Sequence, residues 1–463
     1  MTTPPSTAPA ALDSRTADQL GRAAVTVLIQ NWRGHATVPS RSLYPHQWSW
    51  DSAFIALGLQ HWAPRRAASE LLSMFGAQWA DGRVPHIAFN PAVPEDAYFP
   101  GPAFWRSHDV PGHPPVETSG IIQPPVHAIA AAEVIERLGE PGEEFAERIY
   151  PLLVAQNSYI RRCRAVSPAG LAVMLHPWET GMDNSPSWDE PLAAVPADLS
   201  LLDIHTRRDL DHAGHSERPT DHDYARYIRL AATYRDHGYD DVWAAAEAEF
   251  AVVDPGFNAL WAWSELALAE IAKRIGHDHH VHLDEAARIT DALVAELFWT
   301  GPNATAFFHA TDLRTGTRMP ELCVNGALPI LLPGLPQTTV DEVVHTLTGP
   351  SFRVGHPDIL GVVSYDLTGA AFDAQRYWRG PTWLNTTWLV AQGLKTHGRD
   401  ELADHLFADI ISLVQQSGLR EYFNPHTGTG HGTADFSWSA ALLLNVLDFT
   451  SRRNRGDLRT SAA

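Results

Sequence analysis

The chain reads as an all-α protein. Three observations predict this: helical periodicity dominates, strand signals are scarce, and several helical segments come as pairs joined by short Gly/Pro/His turns. Apolar residues recur at helical spacing over 17–32, 65–79, 126–138, 143–165, 223–235, 258–275, 284–298, 381–396, 401–416 and 437–447. Alternation suited to a strand is confined to short stretches such as 359–365.

Within the pairs the two helices differ. The first of each (126–138, 258–275, 381–396) is short of charge and rich in Ala, Leu and Trp, which predicts burial all round. The second (143–165, 284–298, 401–416) is amphipathic. That alternation predicts an inner ring of helices wrapped by an outer one, with roughly six such units. The inner helices follow loops carrying aromatic and acidic residues: Trp48-Ser49-Trp50-Asp51, Ile121-Ile122-Gln123-Pro124-Pro125, Tyr377-Trp378-Arg379-Gly380-Pro381 and Asp435-Phe436-Ser437-Trp438. These loops are expected to gather at one end of the barrel.

Two long irregular stretches, 81–118 and 167–219, are rich in Pro, Gly and aromatic residues. They predict ordered lids, since long loops in a compact domain are usually functional or disordered. The expected organisation is one domain over 13–451, with disordered ends at 1–12 and 452–463.

The chain has 463 residues, 44% of them hydrophobic, and a formal charge of −20. That field repels nucleic acid and anionic membrane surfaces, and no Lys/Arg run overrides it. Cys163 and Cys323 are too few for a disulfide framework or a cysteine-based zinc site. The first residues lack a basic segment followed by an apolar one, and no stretch is long and apolar enough to span a bilayer. A cytoplasmic protein is expected, with self-association left open.

The chemistry lies in two acidic residues from opposite halves of the chain. Asp183 sits in His176-Pro177-Trp178-Glu179-Thr180-Gly181-Met182-Asp183-Asn184-Ser185-Pro186-Ser187-Trp188 and Glu421 in Glu421-Tyr422-Phe423-Asn424-Pro425. Cleaving a glycosidic bond needs two carboxyl groups, one to protonate the leaving oxygen and one to activate water or attack carbon. Asp183 alone reads equally as a turn residue bonding its own backbone. Trp178 and Trp188 beside it favour a ligand or a lid, because exposed rings in a loop are costly. Asp51 is divided between an N-cap and a carboxylate for sugar hydroxyls. Tyr44, Trp48, Trp50, Tyr377, Trp378 and Trp383 are divided between core and stacking platform, and His86 between sugar contact and structural histidine. The tract Gly276-His277-Asp278-His279-His280-Val281-His282 falls in a turn, where a solvated polar loop is the default, and its spacing matches no established zinc pattern. No phosphate loop or nucleotide fingerprint is present. Neither a metal nor a cofactor is expected.

Five segments resemble glycoside hydrolase family 63, most closely its bacterial mannosylglycerate/glucosylglycerate hydrolase-like branch. They are Tyr44-Pro45-His46-Gln47-Trp48-Ser49-Trp50-Asp51, Gln123-Pro124-Pro125, Glu179-Thr180-Gly181-Met182-Asp183-Asn184-Ser185-Pro186, Tyr377-Trp378-Arg379-Gly380-Pro381-Thr382-Trp383 and Glu421-Tyr422-Phe423-Asn424-Pro425. The resemblance spans about residues 40–447 and implies an (α/α)6 barrel. It also implies inverting hydrolysis of an α-glycosidic bond, with Asp183 as general acid and Glu421 as general base. Tyr44, Trp48, Asp51, Gln123, Tyr377, Trp378 and Trp383 would line the glycosyl subsite, with Trp50, His86, Trp178 and Gly181 close by. Arg218 and Tyr224, with Tyr98 on a facing loop, would meet a glycerate carboxylate. Where the resemblance implies a glutamine beside glycerate, the chain has Phe436. The expected partner is a small α-glucoside or α-mannoside, with glucosylglycerate and mannosylglycerate leading. Neutral disaccharides such as trehalose or kojibiose come next, and a sugar isomerase or epimerase, or a non-catalytic sugar-binding protein, after them.

Overall fold

In a computed structural model of the chain the described residues are 12–454, apart from 203–206, 208–209, 211–213, 215 and 302–304. The expectation of disordered ends therefore falls mostly on 1–11 and 455–463, outside the described residues. Leu12 packs against the core, and the last helix runs on to Asn454. Within it Phe449 meets Phe407 with ring centroids 5.0 Å apart.

The longer helices are α1 (Ser14–Gln30), α2 (Ser49–Leu59), α3 (Pro64–Phe75), α4 (His127–Leu138), α5 (Pro141–Tyr159), α6 (Asp221–Asp236), α7 (Pro255–Arg274), α8 (His280–Leu297), α9 (Gln337–Thr348), α10 (Leu384–Thr396), α11 (Asp400–Ser417) and α12 (Ser437–Asn454). The apolar, charge-poor members pack on one another in a circuit. Helix α2 touches α4, α4 touches α7, α7 touches the 3₁₀ segment Val324–Leu331, that segment touches α10, α10 touches α12, and α12 returns to α2. Every residue of α2 is buried, as its lack of a polar face requires. Each member has a second helix packed against it: α3 on α2, α5 on α4, α8 on α7, α9 on Val324–Leu331, α11 on α10 and α1 on α12.

Val324–Leu331 and α9 lie outside the segments predicted from helical periodicity. All eight residues of the 3₁₀ segment are buried, and Pro329 lies inside it. A proline at that point removes a backbone donor and bars a regular α-helix, so the helical period never develops.

Strands are short. Gln47–Trp48 pairs with Ile87–Ala88, and Arg420–Phe423 with Gly430–Ala434 across an irregular register between His431 and Ala434. Val173–Met174, Val252–Val253, Thr311–Asp312 and Thr317–Arg318 make a small antiparallel sheet. The alternating stretch 359–365 contributes only isolated bridges, Val363 to Thr382 and Tyr365 to Cys323. The histidine tract is not wholly a solvated turn. Helix α8 begins within it, and His282 is buried with Nδ1 2.6 Å from Glu265 and Nε2 3.0 Å from the Tyr150 hydroxyl.

The main apolar core joins the circuit of inner helices. A second, smaller core of Trp188, Leu192, Tyr224, Tyr227, Phe250 and Met319 lies under the stretch 167–219. Trp188, Leu192, Val195 and Leu202, which belong to that stretch, are buried in this core, so its described part has packing of its own.

Candidate active site

The loops that precede α2, α4, α10 and α12 share one cleft of about 900 Å³, counted with its open mouth. Asp183 and Glu421, 238 positions apart in the sequence, both line it.

Glu421 stands on the hairpin Arg420–Phe423/Gly430–Ala434 and is 1% exposed. Three donors meet its carboxylate. The Tyr44 hydroxyl donates to Oε1 at 2.9 Å. Arg218 Nη2 and the Thr433 amide donate to Oε2 at 3.2 and 3.1 Å. Arg218 Nη1 also donates to the Tyr44 oxygen at 3.3 Å, and its guanidinium carbon lies 4.4 Å from the centroid of Tyr377. Burial works against the charge of Arg218, and Tyr44, Glu421, Tyr422 and Tyr377 around it hold it charged. Burial keeps the Tyr44 phenol neutral, well above its usual range, so it serves as a donor.

Asp183 lies in a loop braced from below. Gly181 has φ +73, and a Cβ there would come within 2.5 Å of the Trp50 ring, so this loop lies flat on that indole. Buried Glu179 accepts from the amides of Ile122 and Leu175 at 3.3 and 2.7 Å and pairs with buried Arg164. The Tyr227 hydroxyl donates to the Asp183 carbonyl at 2.8 Å. Asn184 Nδ2 donates to the Tyr377 carbonyl at 2.9 Å, tying the Asp183 loop to the Tyr377 loop. The Tyr377 amide in turn donates to the Glu217 carbonyl at 2.8 Å, next to Arg218.

Asp51 is not the cap of α2. Trp48 holds that position without a side-chain bond, and Asp51 sits in the first turn. Its carboxyl lines the cleft at 4% exposure. Burial first, and the charge of Glu421 after it, push its pKa well above the usual carboxylate range. Gln123 also lines the cleft, and its Oε1 accepts from the Trp50 amide at 3.3 Å.

The walls are aromatic. Tyr44 and Tyr98 each meet Trp48 edge-on, at 5.2 and 5.1 Å between centroids. Trp178 stacks near His86 at 6.0 Å and 19°. His86 shares a 2.7 Å hydrogen bond between Nδ1 and the Ser119 hydroxyl, and burial drives its pKa well below the usual imidazole range. His176 behind Trp178 is held neutral in the same way, at about 3. The Tyr224 hydroxyl donates to the Phe99 carbonyl at 2.9 Å, fastening the stretch that carries Tyr98 onto α6.

The chain matches the mannosylglycerate hydrolase MGH1-like glycoside hydrolase domain over residues 44–439. It belongs to that glycoside hydrolase family. It is 38% identical over 424 residues to the mannosylglycerate hydrolase of Rubrobacter radiotolerans, covering 91% of this chain and 95% of that one. With the glucosylglycerate hydrolase of Mycolicibacterium hassiacum it shares 34% identity over 458 residues, covering 94% and 99%. The crystal structure of the GH63 mannosylglycerate hydrolase from Thermus thermophilus with Tris and D-glycerate superposes with a TM-score of 0.83 at 37% identity, over 92% of this chain and 99% of that one. The neutral trehalase Nth1 of Saccharomyces cerevisiae, with TM-score 0.55 and 14% identity, shares the fold alone.

In this glycoside hydrolase the cleft brings together Tyr44, Trp48, Trp50, Asp51, His86, Tyr98, Gln123, Trp178, Gly181, Asp183, Arg218, Tyr224, Tyr377 and Glu421. Trp378 and Trp383, expected in the sugar subsite, are not among its lining residues. They are 1% and 0% exposed, stacked on each other at 3.9 Å and 4°, with Tyr377 in front of them. A run of aromatics in sequence cannot say which ring faces the cleft and which backs it. Phe436 and Trp438 do line the cleft. The loop motif around them was legible, their orientation was not. Pro39, Leu43, Phe99 and Pro219 also line it and carry no signal of their own.

Proposed function

We propose that the enzyme is an inverting α-glycosidase that hydrolyses glucosylglycerate or mannosylglycerate. Asp183 acts as general acid and Glu421 as general base. One observation carries this reading: the cleft holds the two acids together with Arg218, the one guanidinium or ammonium group among its described lining residues. An arginine suits a planar carboxylate such as that of glycerate. The mannosylglycerate and glucosylglycerate hydrolases to which the chain is similar support the same substrate class.

In the proposed reaction Asp183 gives its proton to the glycosidic oxygen as the bond from that oxygen to the anomeric carbon breaks. Glu421 takes a proton from a water that attacks the anomeric carbon from the opposite face. The products are glycerate and the sugar as its β-anomer. Inverting hydrolases hold the two carboxyl groups about 6.5–9.5 Å apart to admit that water. The neutral phenol of Tyr44 and the Thr433 amide fix the orientation of Glu421. The buried carboxyl of Asp51 and the rings of Trp48 and Trp178 supply the polar and apolar contacts that a sugar ring needs. The circuit of six inner segments, each with an outer helix, supports an (α/α)6 barrel. A cytoplasmic setting accords with Cys163 and Cys323, which are both unpaired.

The test is sugar release from glucosylglycerate, mannosylglycerate, trehalose, kojibiose, nigerose and maltose, with the first-formed anomer read by NMR. Release from the glycerate compounds with the β-anomer appearing first is expected. Activity confined to the neutral disaccharides overturns the substrate assignment, and α-anomer appearing first overturns the inverting one.

A further inference from the structure

Arg218 has two demands on it. Its side chain is 3% exposed and held on the face of Tyr377. It donates to Glu421 and to Tyr44, while its Nε–H is buried without a partner. A guanidinium carries five N–H donors, so it can serve a second carboxylate while keeping the first. Arg218 also lines the cleft from which that second carboxylate would come.

We propose that Arg218 couples the acceptor to the base: a carboxylate on the departing group shares the guanidinium that serves Glu421, so that an acidic acceptor makes Glu421 a better proton acceptor than a neutral one does. This rests on the roles given to Glu421 and to a glycerate-like acceptor under Proposed function. A positive charge within about 4–6 Å favours the ionised form of a carboxyl group, and a negative charge disfavours it. With the cleft empty, Glu421 has Arg218 as its charged partner. With an acidic acceptor bound, the same cation is divided between two anions, and those anions repel. Both effects favour proton transfer from water to Glu421. Arg218 then discriminates between substrates in the rate of the chemical step as well as in binding. The groups facing this pair are Tyr44, Tyr377, Tyr422 and Asp51, and burial raises the pKa of each of them. Asp183 lines the same cleft, and His431 and Glu217 lie behind Tyr422.

The test compares glucosylglycerate with glucosylglycerol, in which a neutral CH₂OH replaces the carboxylate. The acid limb of kcat/KM reports the free enzyme and that of kcat the bound complex. With glucosylglycerate the acid limb of kcat is expected about one pH unit above that of kcat/KM, the size of a single close charge effect. With glucosylglycerol the two limbs should coincide. In Arg218→Gln the acid limb measured with glucosylglycerol should move upward, because Glu421 loses its cation. An arginine that only binds the acceptor would leave that limb in place. Coincident limbs for both substrates in the unaltered enzyme overturn the proposal, with no variant needed. So does an unmoved glucosylglycerol limb in an Arg218→Gln protein that melts like the parent. Failure to cleave either glycerate compound, with glucosylglycerol cleaved, would instead remove the substrate reading itself.

Discussion

Gly432 leaves the space that Glu421 occupies. A Cβ on Gly432 would lie 2.3 Å from Glu421 Oε2, and its φ of +65 is one that other residues seldom adopt. The neighbouring amide, Thr433, donates to that same oxygen. The irregular stretch of the hairpin's second strand thus shapes the bed of the carboxylate.

Gly432→Ala should therefore displace Glu421 while sparing the Asp183 loop. We expect kcat on the best substrate to fall at least about tenfold, since small misplacements of a reacting group are costly. Steady-state kinetics check this, and a kcat within twofold of the parent would show that the close contact is relieved without moving the base.

Asp183→Asn and Glu421→Gln should each lower kcat by about 10²–10⁴, the usual contribution of a positioned acid or base. Far-ultraviolet circular dichroism should stay that of the parent. A variant retaining a substantial fraction of activity would lose its assigned role to another residue.

Glu179→Ala should destabilise the protein by about 3–5 kcal/mol, because it strands the buried cation of Arg164. It also removes the acceptor for the Ile122 and Leu175 amides. Urea unfolding measures the loss. A change under about 1 kcal/mol would mean that Asp241, 3.5 Å from Arg164, takes over as its partner.

Glu70 gives a pH dependence of stability. Burial pushes its pKa up to about 7, against the hydrogen bonds from Thr37 and Ser52 that oppose the shift. Between pH 4.5 and about 7 the folded chain holds a proton that the unfolded chain has released. Stability from this group is therefore lost as pH rises through that window, by up to about 3 kcal/mol. Glu70→Gln removes the titration. The advantage of the parent over the variant should be larger at about pH 5 than at about pH 8. Denaturant midpoints of the two proteins that differ by the same amount at both pH values would contradict the shift.

Several features were legible in the chain because they are local. The apolar all-round helices 126–138 and 258–275 declare burial by composition and period, and they became α4 and α7 of the inner circuit. The acidic loops around Asp183 and Glu421 stand out because rings, glycines and prolines collect there. Helix ends were read within a few residues except in α12, which runs on to Asn454.

Other features had no local signal. Val324–Leu331 fills an inner position without a helical period. Asp51 is released from capping because Trp48 takes the cap position, and its carboxyl then meets the cleft. Trp378 and Trp383 withdraw behind Tyr377. Arg218 reaches Glu421 across 203 positions of sequence. By itself the sequence determined most of the helical segments, several that are buried all round and which loops carry the acids, since each follows from period and composition within one segment. The tertiary structure alone decided which ring faces the cleft, which carboxylate shares a cation and which glycine gives that carboxylate room, because those depend on distances between segments that lie far apart along the chain.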